Sequence, residues 1–251
     1  MTPSPDARSV LLGSVLAAFG LSASAQPAAL PFATPEALAC APRLAPDAST
    51  PGGQVLGDPD VPLREVFSAG DVVRLSLGRV DGVSVGTQFF TRRIVAPTDS
   101  AMRASGLRVL QTSGWLRAVV VDEHFTRAVV ERVCVEIRRG DQLVPLQWPA
   151  AVSMAPEGTT SYNDPATVLF GRNGRAMLRA NQFLVIDQGA DRQIVLGQRL
   201  TLFRASVGGA EDEGTRLGEA VVVLTDAASA TAHVTRAGGQ IQSGDLAAVH
   251  R

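Results

Sequence analysis

The sequence predicts an all-β protein made of two tandem small β-barrel, or barrel-like sandwich, units related by internal duplication. Three observations carry that expectation. First, the chain repeats itself. Gly70-Asp71-Val72-Val73-Arg74-Leu75-Ser76-Leu77-Gly78 lies over Asn181-Gln182-Phe183-Leu184-Val185-Ile186-Asp187-Gln188-Gly189, and without a gap Gly86 falls on Gly197, Phe89 on Leu200 and Arg93 on Arg204. After a shorter connector Gly114 falls on Gly218, Asp122 on Asp226, Arg132 on Arg236, Ile137 on Ile241, and Gly140-Asp141 on Gly244-Asp245. Second, Val73, Leu75 and Leu77 alternate with Arg74 and Ser76, and Ala230, Ala232 and Val234 alternate with Thr231, His233 and Thr235, the period of a strand with one buried face. Third, turn signals recur at Asp81-Gly82, Ser84-Val85-Gly86, Arg139-Gly140-Asp141 and Ser243-Gly244-Asp245.

Read from the N-terminus, the chain opens with an export signal over residues 1–25. Arg8 supplies the positive start and Val10 to Leu21 an uncharged apolar run. Ala23-Ser24-Ala25 then offers the small-x-small pattern that a signal peptidase cleaves, before Gln26. The run falls short of the roughly 20 apolar residues of a membrane span, and Gly13 and Gly20 interrupt it. Ala37-Leu38-Ala39-Cys40 loosely resembles a lipidation site, but Pro27, Pro31, Pro35 and Glu36 separate it from the apolar run. Residues 26–52 are rich in Pro and Ala and read as irregular.

The first barrel repeat is expected over 53–146, a Pro/Ser/Thr/Gly-rich linker over 147–165, and the second repeat over 166–251. A closed barrel is favoured because it hides strand edges in a unit this short. Ala118 to Val121 and Ala220 to Leu224 are apolar on both faces, as in strands covered twice. Gly82, Gly86, Gly140 and Gly244 are read as turn or bulge glycines at positive φ, and Gly78, Gly189 and Gly197 as further structural turn positions, with Asp141 and Asp245 as turn-formers accepting backbone N–H groups.

Cys40 and Cys134 are the only cysteines. An even pair in an exported chain is expected to be bonded. Closing so long a loop is worth about 4–5 kcal/mol in the chain-entropy account.

The order apolar strand, Gly…Gly-x-x-x-Gly, aromatic-x-x-Arg, then a strand pair ending Ile-x-x-Gly-Asp-x-Leu resembles the small β-domains of uncharacterised exported bacterial proteins, some of which stand beside peptidoglycan-binding LysM modules. It is also faintly similar to the C-terminal domain of the flagellar assembly protein T. The resemblance spans roughly Gln54 to Leu146 and Ala166 to Val249. Its motifs specify turns rather than chemistry, no family functional residue carries over, and the chain has no LysM module of its own.

Net charge is −1, which gives no electrostatic footprint for nucleic acid or an anionic membrane. All basic residues are arginine, as GC-rich coding favours. The histidines are His124, His233 and His250. Asp122-Glu123-His124 is the one cluster suggesting acid–base or metal chemistry, yet its second-copy counterpart is Asp226-Ala227-Ala228, so it reads as a polar hairpin tip. His233 is placed on a solvated face with Thr231 and Thr235, and His250 at the exposed terminus. Trp115, Trp148 and Tyr162 are the rings available for a sugar platform. No Gly-x-Ser-x-Gly motif and no phosphate loop ending in Gly-Lys is present.

The expectation is therefore a non-catalytic exported module of the periplasm, cell envelope or extracellular space, with no catalytic residue, metal or cofactor. It would bind an envelope protein or cell-wall polymer, or support an assembly, without nucleic acid and without a membrane span after signal cleavage. The alternatives are a peptidoglycan- or glycan-binding module and an extracytoplasmic hydrolase using Asp122, Glu123 and His124.

Overall fold

The protein is described by a computed structural model that covers residues 33–45, 52–97, 100–104, 106–206 and 214–251; the expected signal peptide and its cleavage site lie outside the described residues. The first unit contains β1 (Arg43–Leu44), β2 (Val55–Gly57), β3 (Val66–Phe67), β4 (Val72–Leu75), β5 (Gln88–Val95), β6 (Val109–Val121), β7 (Thr126–Val133), β8 (Ile137–Arg138) and β9 (Gln142–Pro145). The second contains β10 (Thr160–Gly171), β11 (Met177–Leu178), β12 (Phe183–Ile186), β13 (Arg199–Arg204), β14 (Thr215–Thr225), β15 (Ala230–Ala237), β16 (Ile241–Gln242) and β17 (Leu246–His250). Two short helices, α1 (Pro35–Ala39) and α2 (Ser100–Ala104), and 3-10 turns at Arg79–Asp81, Arg172–Gly174 and Ala190–Arg192 accompany the strands.

The two units share one strand order. The first sheet runs β2-β4-β7-β6-β5-β9, and the second runs β10-β12-β15-β14-β13-β17 as a closed barrel. Duplicated sequence folds into duplicated backbone contacts. Gly86 N donates to Ala118 O at 2.9 Å as Gly197 N does to Val222 O at 2.8 Å. Gly140 N donates to Val55 O at 2.8 Å as Gly244 N does to Val168 O at 2.9 Å. The short ladders β3–β8 and β11–β16 also match.

Closure differs between the copies. β10 is 12 residues long and pairs with β17 over Thr160↔His250 to Thr167↔Leu246. In the first unit β2 has only three residues, and the sheet is drawn together by a Gln54↔Gln142 bridge, with Leu143 N donating to Gly53 O and Val55 N to Asp141 O. The first unit is thus a curled sheet laced at its seam. The strand pairing of β10 from Thr160 also means that the expected linker ends earlier: its last residues belong to the second barrel.

Each unit has its own core. Val55, Phe67, Leu75, Leu116, Ala128 and Ile137 lie in the first, and Val168, Leu184, Leu200, Val222, Ala232 and Ile241 in the second. The burial pattern of β4, with Val73 and Leu75 inward and Val72 and Arg74 outward, follows the period of two in the sequence. A third apolar cluster joins the units: Met102 and Val109 meet Phe170 and Val185, with Leu44, Val95 and Leu169 packed at its margin.

The outer faces depart from expectation. Ala220 to Val223 are buried, but Val119 and Val120 are exposed, so Ala118–Val121 is not covered on both sides. The cover on the second barrel comes from Leu38 and Val152, which pack on Val223. A fully buried leucine contributes roughly 1.5–3 kcal/mol, enough to hold a short segment in place.

Candidate functional site

Residues 33–45, expected to be irregular, form a strap between the units. Thr34 caps α1 by accepting from Ala37 N at 3.2 Å, and Pro35 at the first helical turn has no N–H to leave unpaired. The helix ends at Cys40, which is disulfide-bonded to Cys134 as the sequence predicts. Beyond it, Pro42 O accepts from the buried Thr231 Oγ1 of the second barrel at 2.7 Å. β1 then pairs with β6 of the first unit through Arg43↔Leu110 and Leu44↔Val109. The disulfide ties the strap to the first unit, and the threonine bond and the Leu38 contact tie it to the second.

Where strap, first sheet and second barrel meet, a cleft of about 600 Å³ opens, lined by Arg43, Leu44, Ala45, Arg92, Leu110 and the 226–229 hairpin. Arg43 forks onto both oxygens of Asp226, with Nε to Oδ2 at 3.1 Å and Nη2 to Oδ1. Arg92 faces the same space. Its Cζ lies 5.5 Å from the Phe90 ring centroid, and its Nε is shut off from solvent with no hydrogen-bond partner among the described residues. Burial lowers the Arg92 pKa below the ordinary guanidinium value, the Arg43 charge lowers it further, and Asp226 opposes both.

The remaining candidate residues occupy structural posts. Asp141 accepts from Arg93 Nη2 at 2.8 Å and from Arg138 N at 3.0 Å. Asp245 accepts from Arg204 Nε at 2.7 Å and from Gln242 N at 2.7 Å. Gly82, Gly86, Gly140 and Gly244 have positive φ, as expected, and so has Gly197. Gly78 and Gly189 sit at φ −137°, and each lets a hairpin backbone approach, because a Cβ at Gly78 would overlap the Glu123 carbonyl and one at Gly189 the Asp226 carbonyl.

Asp122, Glu123 and His124 form the loop between β6 and β7, with His124 Nε2 4.0 Å from Glu123 Oε1 and both side chains largely in solvent. Their backbone anchors the preceding 3-10 turn, Arg79 N donating to Asp122 O and Val80 N to Glu123 O. His233 is not on a solvated face: it packs 5.2 Å from the Phe183 ring, and burial lowers its pKa. His250 is not a free end either, since its Nε2 lies 2.9 Å from Thr201 Oγ1, and burial, then Arg199, lowers its pKa.

Trp115 is buried against Phe90, and Trp148, 42% exposed, meets it edge-on with centroids 5.0 Å apart. Tyr162 packs on Phe203 in the other unit, so the three rings do not form one platform. Among the described residues, no three histidine, cysteine or carboxylate side chains gather closely enough to hold a metal ion, and no helix is long and apolar enough to cross a membrane.

Sequence reasoning missed Arg43, Arg92 and Asp226 as a group. One signal was present: in the duplicated alignment Arg93 falls on Arg204, whereas its neighbour Arg92 falls on Phe203. No protein-family model matches the sequence, and no curated protein matches it.

Proposed function

We propose that the chain is an exported, non-catalytic module of the cell envelope or its surroundings that binds a partner or supports an assembly through the cleft between its two barrels. The observation that carries this reading is the cleft's construction from three separate segments, one of them held by a disulfide. A disulfide that fixes the strap favours an oxidising compartment, in keeping with the export signal in the sequence.

The rival readings draw on weaker arrangements. Catalysis needs groups that converge and are held in place, whereas Glu123 and His124 extend from a hairpin tip into solvent. The matched carboxylates Asp141 and Asp245 are engaged in ion pairs inside their own units. Of the three rings named for a glycan platform, Trp115 is buried, Tyr162 packs on Phe203, and Trp148 is the exposed one.

Site-specific photo-crosslinking in the native envelope tests the reading. A photoreactive residue at Ala228, in the cleft, is expected to capture a partner, and one at Glu123, on the hairpin tip, is not. Capture from Glu123 only, or from neither position, would contradict the proposal.

A further inference from the structure

Resting on that reading of the cleft, we infer that it takes a carboxylate-bearing ligand with a small aliphatic body, recognised by the Arg92 guanidinium.

Charge sets the sign. Among the described residues, the ionisable groups lining the cleft are Arg43, Arg92 and Asp226, two cations and one anion. Arg43 and Asp226 satisfy each other through a two-point fork, which leaves Arg92 as the uncompensated charge. The Arg92 Nε is shut off from water without an acceptor among the described residues, a costly arrangement that a bound carboxylate would relieve through paired N–H···O bonds. One surplus positive charge matches one carboxylate. A phosphate monoester, carrying about −1.5 to −2, would bring an excess of negative charge beside Asp226.

The fold does not demand an arginine at this position. Arg92 and Phe203 occupy equivalent sites, each just after a register shift in its strand, between Thr91 and Arg92 in β5 and between Leu202 and Phe203 in β13. In the second barrel the phenylalanine is fully buried, so the site accepts an apolar ring. The first copy places a guanidinium there, its Cζ 5.5 Å from the Phe90 ring centroid and its side chain on the cleft wall. Contact with the ring limits the side chain before a ligand arrives and lowers the cost of ordering it on binding.

The walls select the rest of the ligand. Leu44, Ala45, Leu110, Ala227 and Ala228 present small aliphatic surface around the charged floor. A volume of about 600 Å³ lies within the usual range for small-ligand sites. A short peptide with alanine-sized side chains and a free terminal carboxylate combines these features.

Titration calorimetry on the purified, oxidised protein tests the inference with three probes: N-acetyl-trialanine as the free acid, the same peptide as its C-terminal amide, and inorganic phosphate. The free acid should bind, and the amide and phosphate should bind at least about tenfold more weakly, a difference of about 1.4 kcal/mol. Arg92→Gln should weaken the free acid by about tenfold and leave the amide unchanged. Arg92→Phe, which copies the second barrel, should lose the same binding while keeping the wild-type unfolding midpoint, separating recognition from folding. Equal binding of acid and amide, tighter binding of phosphate, no binding of the acid up to about 1 mM, or an unaltered affinity in Arg92→Gln would each overturn the inference. Crosslinks from Ala228 without carboxylate binding would remove this inference and leave the partner-binding reading standing; carboxylate binding without crosslinks would do the reverse.

Discussion

Arg93 reaches Asp141 with Nη2 at 2.8 Å, and the carboxylate it meets is 3% exposed. The second copy repeats the pair as Arg204 and Asp245, with an equally buried carboxylate but an arginine that is 44% exposed. Both aspartates also hold the N–H three residues before them, Arg138 N and Gln242 N, so each closes a turn and anchors a strand at once. Asp141→Ala should cost about 3 kcal/mol, because it strands an arginine that is itself largely buried. Asp245→Ala should cost less, since Arg204 can turn to water. Urea unfolding of the two variants gives the order directly, and a larger loss for Asp245→Ala would contradict this account.

The turn glycines separate into two kinds with different sensitivities. Gly140 has φ +84° and open space where a Cβ would stand, so Gly140→Ala pays only left-handed backbone strain, about 1–2 kcal/mol. Gly78 has ordinary extended geometry, yet a Cβ would collide with the backbone of Glu123 and His124. Gly78→Ala must therefore move the 122–125 hairpin, and should destabilise the protein more than Gly140→Ala in the same denaturation assay.

Much of the fold is legible in the sequence. The repeated glycines and the Gly-Asp turns recur because the same backbone bonds recur, and the alternation through Val73 and Leu75 reports a single buried face. The cleft is not legible, for a physical reason. Arg92 faces a cleft because the strap and the 226–229 hairpin form its other walls, which no local pattern records. The same strap buries Thr231 beneath Pro42, while among the described residues no equivalent cover reaches Val119 and Val120. Periodicity reports which face of a strand is apolar, but not which outer face a distant segment will cover.

Stability should fall with acid through the half-buried imidazole of His233. His233 has its pKa lowered from the ordinary 6.5 by burial, and its Nδ1 is enclosed without a partner among the described residues. The unfolded chain therefore binds the proton more readily than the folded one. The stabilising contribution is fully present above pH 6.5 and is lost as pH falls through the folded-state value. His233→Phe should keep the packing on Phe183 and shrink the difference in unfolding midpoint between about pH 7.5 and about pH 5. An unchanged difference would exclude His233 as a source of the acid sensitivity.

Export and the bonded strap are the centre of the account, and both are read by one measurement. Intact mass and non-reducing peptide mapping of the natively produced protein should give an N-terminus at Gln26 and a linked peptide containing Cys40 and Cys134. A mass that retains residues 1–25, with both thiols free to label, would contradict the account.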